Sequence, residues 1–69
     1  MRFDVYGRFE LEVVREELSW AVYRRHEGRR QPMPDIVIPP SLGAAAIPRF
    51  LDDLLHELAR PGQAIRRVD

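Results

Sequence analysis

The chain has 69 residues, with 11 basic and 11 acidic side chains and no cysteine. That length holds one small domain, whose core alone supplies only ~3–5 kcal/mol, and the missing cysteines exclude disulfides and thiolate metal sites as reinforcement. A formal net charge of zero removes bulk charge as a drive toward nucleic acid, and no apolar run approaches the ~18 residues of a membrane-spanning helix. Either the core packs very well, or stability is added by a partner or a second copy. Every basic residue is arginine, and lysine, asparagine and threonine are absent. GC-rich coding explains that bias; arginine chosen for bidentate anion recognition is the functional alternative. The opening MRFDVYGRFE is charged and alternating, without an apolar core, so it does not read as a signal peptide. A bacterial, cytoplasmic protein is expected.

Phe3, Val5, Gly7, Phe9, Leu11 and Val13 share odd parity, the alternation of a strand with one face buried. A two-residue hairpin at Gly7 would switch the inward set from odd to even, and no switch occurs. The expectation is therefore one long strand over about 2–15, bent or bulged at Gly7. Two short strands joined by a longer kink are the alternative. After Glu16-Glu17-Leu18-Ser19 the inward parity becomes even, with Trp20 and Val22. This predicts a second strand over 20–25, antiparallel to the first, with Val13 opposite Val22 and Arg15 opposite Trp20. The connecting turn lacks Gly and Asn, which suggests a four-residue loop on a type I turn. Residues 26–35 (HEGRRQPMPD) read as a loop broken by Gly28, Pro32 and Pro34. Ile36-Val37-Ile38 reads as a third strand at an edge, ended by Pro39-Pro40.

The segment IPRFLDDLLHELAR has apolar residues at Ile47, Phe50, Leu51, Leu54, Leu55 and Leu58, one stripe on an α-helix. The helix is expected over about 45–60, with Pro48 in its first turn and Pro61-Gly62 as its stop. Leu54, mid-stripe, is expected to be buried, so that Leu54→Ala would cost ~2–5 kcal/mol. Residues 64–68 either add a short strand or lie extended on the surface. The fold class is α+β: an antiparallel sheet of three to four strands with one amphipathic helix across one face. The predicted core is Phe3, Val5, Phe9, Leu11, Val13, Trp20, Val22, Ile36, Ile38, Phe50, Leu51, Leu54, Leu55 and Leu58.

Three blocks, FDVYGRFELEVVRE, DIVIPP and LDDLLHELARPG, together resemble a family of short bacterial proteins of unknown function. The resemblance covers nearly the whole chain and implies a standalone domain. It implies no activity and no catalytic residue. In that family the segment before the helix is acidic and helix-initiating. Here it is Gly43-Ala44-Ala45-Ala46-Ile47-Pro48, which leaves the helix start open.

Three constellations could carry chemistry. Asp52, Asp53, His56 and Glu57 sit at i,i+3 and i,i+4 spacings that can grip a divalent metal or pair acid with base. A metal needs three or four ligands, and one helix does not supply them, so this set reads as a solvated polar face. Arg24, Arg25, Arg29 and Arg30 surround a Gly-containing loop that could present guanidinium forks to phosphate or carboxylate. The sheet face turned from the helix is expected to hold Tyr6 and Tyr23 with Arg2, Arg8, Arg25, Glu10 and Glu12. That mixture of aromatic, arginine and acid suits a protein interface better than a phosphate backbone. There is no nucleophile elbow, phosphate loop or dinucleotide fingerprint, and neither Ser19 nor Ser41 has a histidine near it in sequence. The expectation is a non-enzymatic interaction or accessory module without metal or cofactor, docking on a partner protein or forming a homodimer. The alternative is a nucleic-acid-binding module using the Arg24–Arg30 loop and the outer sheet face.

Overall fold

The structure, a computed structural model, describes residues 1–69. Four strands follow one another as a meander: β1 (Arg2–Val5), β2 (Phe9–Glu16), β3 (Ser19–His26) and β4 (Arg29–Pro32). An extended stretch and a 3₁₀ turn, Ala44–Ala46, lead to helix α1 (Ile47–Leu55), which tightens into a second 3₁₀ turn, His56–Leu58. A short last strand, β5 (Ile65–Arg67), returns to pair with β1. The sheet thus has five antiparallel strands in the order β4-β3-β2-β1-β5. The α+β class and the single helix are as expected, and the sheet is larger than the three to four strands read from the residues.

The expected bent strand at Gly7 is a hairpin. Val5 pairs with Phe9 and Phe3 with Leu11, joined by the three residues Tyr6, Gly7 and Arg8. An odd loop pairs odd with odd, so alternation runs unbroken through a full reversal of the chain. The parity argument excludes only loops of even length. The turn is held by the Arg8 amide on the Val5 carbonyl at 3.0 Å and the Gly7 amide on the Asp4 carboxylate at 3.1 Å. Tyr6 and Gly7 both take positive φ, 56° and 70°.

The register between β2 and β3 is the expected one, with Val13 opposite Val22 and Arg15 opposite Trp20. The loop is shorter than expected, because pairing continues to Glu16–Ser19 and leaves only Glu17 and Leu18 at the tip. Leu18 is 82% exposed there. The predicted loop over 26–35 contains β4 instead. Glu27 and Gly28, at φ 50° and 76°, make the tight turn whose twist suits a two-residue hairpin. His26 then pairs with Arg29 and Tyr23 with Pro32. Both edges of the sheet carry neighbouring arginines, Arg29-Arg30 on β4 and Arg66-Arg67 on β5.

Ile36–Ile38 is not a strand. Prolines at 32, 34, 39 and 40 deprive the segment of ladder donors, and it crosses the inner face of the sheet. Its alternation survives without a paired neighbour: Ile36 and Ile38 are buried and Val37 is 71% exposed. Two side chains pin the crossing. The Trp20 indole N–H donates to the Leu42 carbonyl at 3.1 Å, and an Arg15 guanidinium N–H donates to the Pro40 carbonyl at 2.8 Å.

This strap covers part of the inner face, so the helix has only the remainder to bury against. Ile47 and Leu51 are buried, while Phe50 and Leu55 are half-buried against the core. Leu54 is 50% exposed, and Leu58, beyond the end of α1, is exposed as well. The expected burial of Leu54 and Leu58 is therefore corrected. The core is Phe3, Val5, Leu11, Val13 and Val22 from the sheet, Ile36 and Ile38 from the strap, Ile47 and Leu51 from the helix, and Tyr6.

Candidate functional site

The residues expected to form one surface are distributed over several. Tyr6, assigned by parity to the outer face, lies in the core. Its left-handed backbone takes it out of the strand's alternation, and it is only 2% exposed. Its hydroxyl donates a hydrogen bond to the Asp52 carboxylate on α1, tying the first turn of the sheet to the helix. Burial, with that hydrogen bond and the charge of Asp52, pushes the phenol up to about 12 from 10.0. Asp52 is thus engaged with Tyr6, and His56 contacts the Asp53 carbonyl at 3.0 Å through Nδ1. No three histidine or acidic side chains come together as a metal site.

The four loop arginines divide between the two sides of the sheet. Arg24 shares the inner register of Trp20 and Val22, and its guanidinium lies 4.4 Å from the centroid of the Phe9 ring. Arg29, opposite His26, falls in that same register. Arg25 and Arg30 are cross-strand neighbours on the outer face, where both reach Glu12 Oε1, at 3.0 and 3.6 Å. Arg30 also stacks on Tyr23, 4.3 Å from the ring centroid. The hydrogen bond from Arg25, helped by the charge of Arg30, holds the Glu12 carboxyl below its ordinary range. Tyr23, Arg25, Arg30 and Glu12 therefore form a partly neutralised cluster, in which two guanidinium groups share one carboxylate.

The sign of its pH dependence follows. A carboxylate with a depressed pKa in the folded state stabilises that state above the unfolded glutamate value, and the contribution disappears as pH falls through the folded value. Denaturant melts of the parent should weaken on acidification below about pH 4.3. Glu12→Gln should flatten that limb and cost ~0.2–1 kcal/mol at neutral pH, the worth of a half-exposed pair.

The feature that sequence reading missed lies at the rim of β3. Four consecutive residues, Trp20, Ala21, Val22 and Tyr23, line one groove together with Pro32, Met33, Pro34, Ile36 and Val37. Consecutive strand residues point to opposite faces, so a groove touched by all four follows the edge of the strand. The backbone there is open. The Met33 amide donates to the Val22 carbonyl at 2.8 Å, which sets Val22 facing the β4 side. By the alternation of antiparallel ladders, Trp20 faces the same way. The β4 pairing begins only at Tyr23–Pro32, and on that side no strand pairs with Ser19–Ala21, whose other side is paired with β2. A short length of unpaired strand edge thus lies beside a trough of Trp, Met, Pro and Val. A run of prolines flanking a β-branched segment was the available signal, and it was read as a strand end.

A family model described as a domain of unknown function (DUF7661) matches residues 1–69. The chain belongs to that family. No curated protein and no solved structure matches it. The resemblance to a short family of unknown function thus holds over the whole chain. This DUF7661 chain forms a five-stranded sheet with one helix, and that helix is not long and apolar enough to cross a membrane.

Proposed function

We propose that this protein is a small non-enzymatic interaction module that docks an extended segment of a partner protein along the rim of β3. The observation that carries this reading is the open edge at Ser19–Ala21 bordered by the Trp20–Val37 groove. An added strand would take up the outward backbone groups of Trp20, and its apolar side chains would cover Met33, Pro34 and Val37. Adding a strand to an exposed edge is a general recognition mode, in which main-chain bonds give affinity and side-chain pockets give specificity. A second copy is the alternative occupant of the same edge. Nucleic acid is less favoured, because Glu12 already occupies Arg25 and Arg30. A disulfide-free chain also fits a bacterial cytoplasmic setting.

The test uses a ten-residue peptide with central alternating valine and threonine, neutral and capped at both ends. Trp20, the one tryptophan, reports occupancy through its fluorescence. Binding should shift its emission, slow hydrogen exchange of its amide, and be lost in Val37→Lys, a change at an exposed groove residue. Light scattering across a dilution series and titration with duplex RNA and DNA at ~50 mM salt examine the other occupants. A concentration-dependent dimer, or nucleic-acid binding, with no response to the peptide would overturn the reading.

A further inference from the structure

Charge on the strands is sorted by face. The acids inside strands, Asp4, Glu10, Glu12 and Glu16, all fall in the outer register, together with Arg25 and Arg30. The inner register holds Arg15, Arg24, Arg29 and Arg67 beside the apolar core, with no acid among them. Two of these arginines are engaged: Arg15 donates to the Pro40 carbonyl, and Arg67 pairs with Asp69. Arg24 and Arg29 are both exposed, and no ion pair joins either to a carboxylate. Neither lines the rim groove. Half of the arginine cluster around Gly28 therefore stands unpaired, on the face opposite Glu12.

The hairpin register brings these two together. Arg24 is opposite Gln31, and His26 is opposite Arg29. Arg24 and Arg29 are thus diagonal neighbours on one face, ~7–8 Å apart, a spacing that long side chains span. Gln31 stands beside both, across from Arg24 and two residues on from Arg29, and adds amide donors. Arg24 is already oriented, because its guanidinium lies 4.4 Å from the centroid of the Phe9 ring. Glu27, the one acid of this hairpin, contacts His26 at 3.8 Å and neither arginine.

We infer that this corner of the inner face binds a phosphate dianion, free or as a monoester, with Arg24, Arg29 and Gln31 as its donors. A carboxylate has only two oxygens, and a single guanidinium fork occupies both. A phosphate offers at least three oxygens and nearly two charges, so it engages both forks and the amide at once. The site is one phosphate wide. A chain with a formal net charge of zero has no broader positive field to hold a run of diesters.

NMR titrations at constant ionic strength, above the second phosphate pKa of about 6, test this with inorganic phosphate, glycerol phosphate, acetate and a single-stranded RNA. The chain has no asparagine, so Gln31 and Gln63 give its only side-chain amide signals. Phosphate, free or esterified, should move the Gln31 amide and the Arg24 and Arg29 Nε–H signals and leave Gln63 in place. It should bind about tenfold tighter than acetate. Equal affinity for the free ion and the ester would mean that the phosphate alone is read, and tighter ester binding that the attached group adds contacts. Arg24→Gln and Arg29→Gln, both at exposed positions, should each weaken phosphate by about tenfold with the backbone spectrum otherwise preserved. Arg66→Gln, at an exposed outer-face position, should leave it unchanged. Equal affinity for acetate and phosphate, equal shifts at Gln31 and Gln63, or variants that bind like the parent would overturn the site. Tighter binding of the RNA than of free phosphate, at equal phosphate concentration, would overturn the dianion reading in favour of a diester backbone.

Discussion

Leu51→Ala should leave the isolated domain largely unfolded at room temperature, whereas Leu54→Ala should melt close to the parent. The two positions are three apart on the same short helix, and sequence pattern treats them alike. Leu51 is fully buried, and Leu54 is half in solvent. Truncating a buried leucine costs ~2–5 kcal/mol, through lost transfer energy and the cavity left behind. A core of this size supplies ~3–5 kcal/mol in total, so the Leu51 change is comparable to the whole stability. Leu54→Ala removes side chain that is already half hydrated, and alanine's helix propensity offsets part of the remainder. Urea titrations followed by far-UV circular dichroism should give a flat, unfolded baseline for Leu51→Ala. For Leu54→Ala they should give an unfolding free energy within about 1 kcal/mol of the parent. The reverse ranking would mean the helix is rotated about its axis from the orientation described.

Tyr6→Ala should be at least as damaging, at ~3–5 kcal/mol, because it empties an aromatic-sized space under the helix. Tyr6→Phe keeps the ring and loses only the bond to Asp52, for ~0.5–1.5 kcal/mol. The hydroxyl also sets an alkaline limit. The folded phenol is raised to about 12 from 10.0. The folded state therefore holds its proton through a range in which the unfolded chain gives it up. The stabilisation is complete below pH 10 and disappears as pH rises through 12. Stability measured from pH 9 upward should decline in the parent across this range and stay flatter in Tyr6→Phe. An absorbance titration should show one tyrosine ionising late, and Tyr6→Phe should abolish that phase.

Alternation alone located the inward face of β1, β2 and β3, because Phe3, Val5, Leu11, Val13 and Val22 repeat at period two and that period depends on burial. It could not distinguish a long strand from an odd-looped hairpin at Gly7, since both conserve parity. β4 was invisible to hydrophobic pattern: Arg-Arg-Gln-Pro has no apolar residue, and its place in the sheet comes from the Glu27-Gly28 turn. Tyr6 escaped because a left-handed turn residue obeys neither period. The fate of Leu54 lay outside the helix, since it depends on how much inner face the 33–42 strap occupies. The groove was illegible for a related reason. It exists only where β4 stops short of Ser19 and the strap departs, and local pattern encodes neither.

The meander and its late-returning fifth strand also bear on how the molecule assembles in time. The first four strands are joined by loops of three, two and two residues, so each pairing closes locally. β5 reaches β1 from the opposite end of the sequence, pairing Val5 with Ile65. Local contacts form early because little chain entropy is lost in closing them, and distant ones wait. The β2–β3 hairpin, with the longest of these local pairings, is expected to form first. The docking of α1 and β5 is expected to follow, because the β1–β5 pairing and the tie from Tyr6 to Asp52 form only once both ends of the chain have met.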